Sequence, residues 1–434
     1  MNMNQATQQK YETVIGLEVH LQLSTQTKIF CGCANVFGRE ANAQTCPVCL
    51  GLPGTLPVLN RKALEYAVKI ALALNCKVNT FVKFDRKNYY YPDLPKGYQI
   101  SQFDKPIAQH GVLVMTTADG QIKKINIKRA HLEEDAGKLI HDDRTDSSLV
   151  DYNRTGTPLM EIVSDPDLRS PQEAYDYLQT LKLTLQYLDV SDCDMEKGSL
   201  RCDVNVSVRL PSEMPRTRVE IKNLNSFRHV QAAIDYEIQR QIEAYESGER
   251  GRAPVQETRL YDAERGVTRT MRSKENEADY RYFPEPDLGP IDLDAAFVER
   301  QRGFLPEPPA ARRERYQREL GLSAYDAGVL TSARAVADFF ESRAKLSGNA
   351  KEAANWVQNE VLRALSDPAS TPKSVDELPC KPNDLAEVLA LVAAGTLSKS
   401  AAKLVVAELI TAGGDPRAIV EAKGLRQVQD DGAI

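Results

Sequence analysis

The chain has 434 residues, of which 42% are hydrophobic and 27% are charged, and its formal net charge is −6. This length exceeds one ordinary hydrophobic core and suggests about three domains. No run approaches the roughly 20 apolar residues of a membrane span, and residues 1–10 lack the apolar core of a secretory signal, so we expect a cytoplasmic protein without membrane contact. The negative charge excludes a protein that is basic throughout, but it leaves room for a local basic patch that binds nucleic acid.

The first predicted element is a β-strand from Val14 to Leu23, in which apolar and polar residues alternate. One face of this strand is apolar, and the opposite face carries Glu18 and His20. Such a pair fits an exposed polar strand face. That is the commoner case for such a pair taken alone, but a site that binds a divalent metal or a phosphate also fits, and the residues leave both interpretations open.

Four cysteines follow in the pattern Cys31-x-Cys33 and Cys46-x-x-Cys49. A structural zinc site needs four thiolate or imidazole ligands on short turns, and this spacing supplies them. The alternative is a cluster of reduced thiols without a metal, because a cytoplasmic chain is not expected to form disulfides. The scattered cysteines are predicted to be small core residues: Cys76, Cys193, Cys202 and Cys380.

A helix capped by Asn60 is predicted to run to Leu74, and a segment rich in Tyr, Pro and Gly follows at residues 84–102. That segment is predicted to form a loop or a pair of short edge strands. Its basic residues, Lys87 among them, alternate with tyrosines, a pattern that suits phosphate contacts and base stacking. A packed tyrosine-rich loop without a ligand explains the same composition.

Carboxylates are concentrated in two later strands. A predicted hairpin ends in Glu133, Glu134 and Asp135, and the spacing does not show which of them points inward. Three acids in a row are usually a solvated edge, but at the end of a strand they also suit a metal site. We expect Glu161 on the polar face of its strand, since burial of an unpaired acid is costly.

Ser170 and Glu173 form a predicted capping box for a helix that ends near Leu188. The next strand, from Leu200 to Leu210, alternates as regularly as the first. Its polar face combines acids and bases, as functional surfaces often do, and carries Arg201, Asp203 and Asn205.

The predicted architecture is α+β followed by helices. Residues 1–292 form the predicted α+β domain with an antiparallel sheet and a zinc knuckle at 31–49, residues 293–412 a helical domain, and residues 413–434 the start of a tail domain. Helices after residue 293 are predicted at 338–345, 351–365, 382–394, 398–412 and 415–422. The chain contains no G-x-x-x-x-G-K-[ST] loop and no dinucleotide fingerprint, so any use of ATP would depend on carboxylates and a metal on the sheet.

Several long segments resemble the B subunits of the bacterial aspartyl/glutamyl-tRNA(Asn/Gln) amidotransferases. The matching segments are VIGLEVHLQL, FDRKNYYYPDLPKGYQISQ, HLEEDAGK, DYNRTGTPLMEIVSDPD, EKGSLRCDVNVSVR, EIKNLNSFRHV and DYRYFPEPDL. The resemblance implies a catalytic domain similar in fold to glutamine synthetase. It implies that ATP phosphorylates the side-chain carboxylate of misacylated Glu-tRNA(Gln) or Asp-tRNA(Asn), and that ammonia then displaces the phosphate. It also implies a heterotrimer with an amidase (A) subunit, which releases the ammonia from glutamine, and a small C subunit.

The resemblance also implies roles for individual residues. Catalysis and the handling of magnesium and ATP are assigned to Glu18, His20, Glu134, Glu161 and Asp203. Further contacts to the cofactor are assigned to Lys87, Arg201 and Asn205. Structural zinc is expected at Cys31, Cys33, Cys46 and Cys49. Members of this family normally continue for several more turns, so we expect the tail domain to be incomplete.

The alternative function is a zinc-knuckle scaffold protein that binds RNA and has no chemistry of its own. Such a protein would bind RNA without turnover of ATP. The acidic strand faces argue against it, because carboxylates repel phosphates unless a cation lies between them.

Overall fold

The structure, a computed structural model, describes residues 10–142, 144–213, 217–247, 254–273, 277–366 and 374–427. The chain divides into two compact units, Met1–Pro306 and Glu307–Ile434, and each has its own hydrophobic core. The predicted domain limits at residues 292 and 412 stay predictions. No helix of the described segments is both long enough and apolar enough to cross a membrane.

The first unit is built mainly from strands. In chain order they are β1 (Glu12–Gln22), β2 (Lys77–Val78), β3 (Phe81–Val82), β4 (Asp85–Asn88), β5 (Tyr98–Ser101), β6 (Ala108–Thr116), β7 (Ile122–Glu134), β8 (Lys138–Asp142), β9 (Ser147–Asp151), β10 (Pro158–Ser164), β11 (Leu200–Arg209), β12 (Val219–Lys222), β13 (Glu257–Asp262), β14 (Val267–Ser273), β15 (Phe283–Pro284) and β16 (Ile291–Asp292). The helices of the same unit are α1 (Arg61–Ala73), α2 (Pro171–Tyr187), α3 (Phe227–Glu246) and α4 (Ala295–Gly303).

Most of these strands belong to one large sheet. Within the described residues it has nine strands, in the order β14-β13-β12-β11-β1-β10-β7-β6-β2. Neighbouring strands are antiparallel, except that β12 and β13 are parallel. The predicted α+β class with an antiparallel sheet, followed by a helical region, is therefore confirmed.

β1 lies at the centre of this sheet, and the alternation of apolar and polar residues along it determines which face is buried. Its apolar face is fully buried and consists of Ile15, Leu17, Val19 and Leu21. These side chains share one core with apolar residues of α1, α2 and α3. Each of the three helices begins at a side chain that accepts a backbone N–H hydrogen bond, namely Asn60, Ser170 and Ser226. Because the helices pack on the apolar face, the opposite face of the sheet is left to polar side chains.

The tyrosine-rich segment at residues 84–102 forms a hairpin. Its strands β4 and β5 pair with each other, and β15 joins them in a small sheet. Two further pairs are β3 with β16 and β8 with β9. The hairpin contacts the end of β7, where the Ile100 N–H donates to Glu134 Oε1 at 2.9 Å.

The second unit is helical. Its helices are α5 (Pro309–Leu320), α6 (Ala324–Leu330), α7 (Arg334–Ser347), α8 (Ala350–Trp356), α9 (Arg363–Leu365), α10 (Pro382–Ala393), α11 (Lys399–Thr411) and α12 (Pro416–Ala422). A π-helical segment, Val357–Leu362, joins α8 and α9 within the predicted helix 351–365. Helices α5 and α6 are not predicted from the sequence. Helix α5 is mostly charged, and Tyr316 is the one large apolar side chain that it buries fully, so its periodicity is weak.

Candidate functional site

Four strands bring polar residues from distant parts of the chain onto one face of the large sheet. His20 on β1 lies opposite Glu161 on β10 and opposite Arg201 on β11. Glu161 in turn lies opposite His131 on β7. Directly paired residues of antiparallel strands point to the same face. This register therefore gathers the four side chains on the face that the helices leave uncovered.

His20, Glu133 and Glu161 form a compact group of possible metal ligands, whose donor atoms all lie within 4.8 Å of one another. His20 Nε2 lies 3.3 Å from Glu161 Oε2 and 4.0 Å from Glu133 Oε1. His131 contacts the same carboxylates, at 3.4 Å from Glu161 and 3.7 Å from Glu133. Two carboxylates and an imidazole are a donor set that suits a divalent cation. We name these four residues the carboxylate–histidine cluster.

The carboxylates and imidazoles of this cluster shift one another's pKa values. Burial would lower the pKa of His131, but Glu161 and Glu133 outweigh burial and raise it to about 9. The pKa of His20 is also raised, because the hydrogen bond and charge of Glu161 exceed the effect of burial. The two histidines hold the pKa of Glu161 well below its usual value despite burial. A cation that used the His20 nitrogen would have to displace its proton, so metal and proton compete for this site.

Glu134, which is assigned to magnesium from the sequence, is not brought into this cluster. Its carboxylate pairs with the Lys96 ammonium group and accepts the Ile100 N–H. Glu133, the preceding residue, lies in the cluster instead. Neighbouring residues of a strand point to opposite faces, so Glu133 and Glu134 cannot both lie in the cluster. His131 was also missed from the sequence, although it lies two residues before Glu133 and therefore on the same face of β7.

Glu18 and Asp203 form a second acidic group on the same face, where they lie opposite each other on β1 and β11. Asn205 donates from Nδ2 to Glu18 Oε1 at 2.9 Å. The Lys222 ammonium group pairs with Asp203. Burial would lower the pKa of Lys222, but Asp203 and Glu220 raise it. Lys222 was not assigned to the site from the sequence, although its place on β12 follows from the register of β12 with β11.

The four predicted zinc ligands lie together. The Sγ atom of Cys49 is 3.5 Å from that of Cys46, 3.8 Å from that of Cys33 and 3.9 Å from that of Cys31. Four sulfurs at about 2.3 Å from a tetrahedral zinc ion are roughly 3.8 Å apart, so the group fits this metal. The Cys31 thiol, the Cys46 N–H and the Lys28 ammonium group outweigh burial and lower the pKa of Cys49 to about 4. The four scattered cysteines are buried, as predicted.

Comparison with known proteins decides the family. The GatB/GatE catalytic domain family matches residues 13–299, and the GatB domain family matches residues 338–434. The chain belongs to the GatB/GatE family. The family resemblance proposed from the sequence is thereby confirmed, and membership makes the chain a component of an amidotransferase.

Relatives of this GatB/GatE member are named as the B subunit of aspartyl/glutamyl-tRNA(Asn/Gln) amidotransferase. The protein from Carboxydothermus hydrogenoformans is 54% identical over 429 residues, which cover 98% of this chain and 88% of the relative. The protein from Moorella thermoacetica is 54% identical over 428 residues, with the same coverage. The protein from Thermodesulfovibrio yellowstonii is 52% identical over 426 residues, again with 98% and 88% coverage.

Arg201, which is assigned to the cofactor from the sequence, is anchored by Asp135. Its Nη2 lies 2.8 Å from Asp135 Oδ2, and the same oxygen accepts from Gln22 Nε2 at 2.7 Å. Arg154 adds a contact at 3.6 Å. These positive charges overcome burial and lower the pKa of Asp135. Arg201 Nε is buried and has no hydrogen-bond partner within the described residues.

Lys87, another of the three predicted cofactor contacts, lies against two tyrosine rings and near Glu133 of the cluster. Its ammonium group is 4.7 Å from the centre of the Tyr280 ring and 5.8 Å from that of Tyr89. Burial would raise the pKa of Glu133, but the hydrogen bond from His131 and the charges of His131 and Lys87 lower it. Lys87 therefore adds positive charge beside the acidic cluster.

A cavity of about 660 Å³ opens beside Arg201 in this GatB/GatE member and is bounded in part by residues 35–39 of the cysteine loop, the name used here for residues 31–49. Three acidic residues line it, and its basic lining is Arg39, Lys138, Arg154, Lys197 and Arg201. Phe37 lies in the same lining and is 72% exposed. An exposed aromatic ring among basic side chains suits a nucleotide, through base stacking and phosphate contacts.

Proposed function

We propose that this chain activates the amino acid carried by tRNA in an ATP-dependent amidotransferase. ATP phosphorylates the side-chain carboxylate of misacylated Glu-tRNA(Gln) or Asp-tRNA(Asn), and ammonia displaces the phosphate to form the amide. The ammonia comes from glutamine hydrolysed by an amidase (A) subunit, and a small C subunit completes a cytoplasmic heterotrimer. The observation that carries the proposal is the buried carboxylate–histidine cluster on the open face of the sheet.

Two magnesium positions are proposed on this face. His20, Glu133 and Glu161 would hold one ion. Glu18 and Asp203, which lie opposite each other, would hold the second. Glu134 is not proposed as a ligand, because it lies outside the group that His20, Glu133 and Glu161 form, where its carboxylate pairs with Lys96. Magnesium held there would neutralise the repulsion between the phosphates of ATP and the substrate carboxylate.

The chain's own side chains position the reacting groups. The substrate carboxylate is itself the nucleophile, so the reaction needs no serine, cysteine or lysine nucleophile. The Arg201 guanidinium group, which lines the cavity, and the Lys87 ammonium group, whose charge acts on Glu133, are proposed to bind phosphate oxygens. Asn205 holds the Glu18 carboxylate through a 2.9 Å hydrogen bond. Catalysis then depends on positioning and electrostatics.

The cavity beside Arg201 is proposed to receive the aminoacylated end of the tRNA. The basic residues of its lining outnumber the acidic ones, which favours phosphates, and Phe37 offers a stacking surface. Gln22 and Arg201 line this cavity and both contact Asp135, next to the acidic face. A terminal nucleotide in the cavity would therefore place its amino acid near the proposed metal positions.

Structural zinc is proposed at the four cysteines. Their sulfur separations suit a tetrahedral ion, and four cysteine ligands leave no open position for catalysis. Zinc is therefore proposed to stabilise the loop that carries Phe37 and Arg39 to the cavity.

The proposal is tested with the reconstituted three-subunit complex and both misacylated tRNAs. Glu18→Gln and Asp203→Asn are expected to lower ATP-dependent amide formation by at least 100-fold. Glutamine hydrolysis by the partner protein is expected to persist. Unchanged amide formation in both variants would exclude the proposed metal positions.

The same assay tests the alternative of an RNA-binding scaffold. A scaffold predicts that RNA binding requires the cysteines and that charged tRNA causes no release of ADP. The proposed enzyme predicts ADP release that depends on misacylated tRNA and is lost in Asp203→Asn, while tRNA binding is retained.

A further inference from the structure

Lys28 is a fully buried lysine beside the cysteine loop. Its Nζ lies 2.7 Å from the Gln44 carbonyl oxygen, 3.4 Å from the Tyr152 carbonyl oxygen and 3.6 Å from Cys49 Sγ. Among the described residues, then, its partners are two carbonyls and a sulfur, and none is a carboxylate. A buried ammonium group without a counter-charge is strongly destabilising. A negative charge close to the Lys28 ammonium group would therefore stabilise the fold.

The four cysteines supply that charge when they bind a metal. Zinc is bound by deprotonated thiolates, so a zinc ion with four of them carries a net charge of about −2. Cys49 is the ligand nearest to Lys28, and its sulfur is within 3.9 Å of the other three sulfurs. The Lys28 ammonium group is thus placed to donate a charge-assisted hydrogen bond to the metal-bound sulfur.

We propose that Lys28 is the charge partner of the metal–thiolate group and sets its affinity for zinc. The ammonium group offsets part of the negative charge and holds the cysteine loop to the turn at Tyr152. That turn is also bonded to the same loop by other hydrogen bonds, among them one from the Gln44 N–H to Asn153 Oδ1 at 2.8 Å. The inference rests on the zinc proposed above, but it does not depend on the proposed ATP chemistry.

The test compares zinc release from the full chain and its variants. Lys28→Gln keeps a donor for the Gln44 carbonyl but removes the charge, and Lys28→Met removes both. Zinc affinity is expected to fall by roughly 10- to 100-fold in both variants, the range found when outer contacts of a metal ligand are lost, and release to a chromophoric chelator should be faster by a similar factor. Lys83→Met is the matched control, since Lys83 is also mostly buried but pairs with Asp85 and Asp104; its zinc release is expected to equal that of the wild type.

Two further measurements distinguish a wrong role for Lys28 from the absence of zinc. In cobalt-loaded Lys28→Met, the sulfur-to-metal charge-transfer bands are expected to shift, because the N–H···S bond is lost. In the cobalt-loaded wild type, which needs no variant to fold, the Lys28 side-chain NMR signals are expected to be shifted by the paramagnetic ion. The role of Lys28 would be overturned if the variants released zinc at the wild-type rate and kept the wild-type charge-transfer bands. Unshifted Lys28 NMR signals in the wild type would overturn it as well. A wild-type chain that binds no zinc would overturn the metal itself and leave the ATP chemistry untouched.

Discussion

His20 and Glu161 face each other across β1 and β10, with the imidazole Nε2 3.3 Å from a carboxylate oxygen. They are far apart in sequence, and only the antiparallel pairing of the two strands brings them into contact. Glu133 and His131 complete the group from β7. Each carboxylate of the cluster thus contacts two imidazoles. The cluster is a group of side chains that could hold a cation on the polar face.

Stability should fall at alkaline pH because of His131. Its pKa is raised from 6.5 to about 9, so protonation stabilises the folded state. This contribution is complete below pH 6.5 and is lost as the pH rises through about 9, and it amounts to roughly 3 kcal/mol. Urea unfolding followed by circular dichroism, without added divalent cations, measures it. His131→Gln is expected to flatten the dependence between these pH values, and an unchanged slope would contradict the assignment.

The adjacent acids Glu133 and Glu134 should behave differently. Glu133→Gln is expected to weaken Mn²⁺ binding by at least 10-fold, because it removes a proposed ligand. Glu134→Gln should leave Mn²⁺ affinity within about 3-fold and lower the free energy of unfolding by about 1–3 kcal/mol, because Lys96 loses its charged partner. Electron paramagnetic resonance of free Mn²⁺ and urea unfolding measure the two effects. Equal loss of Mn²⁺ binding in both variants would show that the cluster is wrongly assigned.

These two acids also show where sequence reasoning ends. The alternation of β1 is long and regular, so it placed Glu18 and His20 on one polar face from the sequence alone. Glu133 and Glu134 lie at the end of β7, where their direction depends on the register of β7 with β10. That register is a long-range property, which local periodicity does not contain. His131 was missed for the same reason, because its role becomes visible only when Glu161 is opposite it.

Two buried arginines of the helical unit should respond in opposite ways to substitution by methionine. Arg343 is fully buried, burial lowers its pKa to about 10, and none of its side-chain nitrogens has a hydrogen-bond partner within the described segments. Arg343→Met is therefore expected to raise the free energy of unfolding by about 1–3 kcal/mol. Arg312 contacts Glu341 at 2.7 Å and Asp338 at 2.5 Å, so Arg312→Met should lower it. Thermal unfolding of both variants tests the pair, and destabilisation by Arg343→Met would refute the first expectation.

Substitution of Gly111 on β6 by a larger residue should lower the stability of the fold. A Cβ atom there would lie 2.3 Å from Cys76 Sγ and 2.7 Å from the Leu74 carbonyl oxygen. Because one of these atoms is backbone, Gly111→Ala is expected to cost about 2 kcal/mol in the free energy of unfolding. Gly289→Ala is the control, since no atom lies within 4 Å of its added Cβ. Denaturant titration of the two variants decides whether the close approach is real.

The proposed nucleophile is the substrate's own side-chain carboxylate, and oxygen-isotope transfer tests its attack on ATP most directly. Glu-tRNA(Gln) labelled with ¹⁸O in the side-chain carboxylate is converted by the complete complex with ATP and glutamine, and the released phosphate is analysed by mass spectrometry. An acyl-phosphate intermediate predicts that each phosphate carries one ¹⁸O atom from the substrate. Release of unlabelled phosphate during normal amide formation would contradict the proposed mechanism.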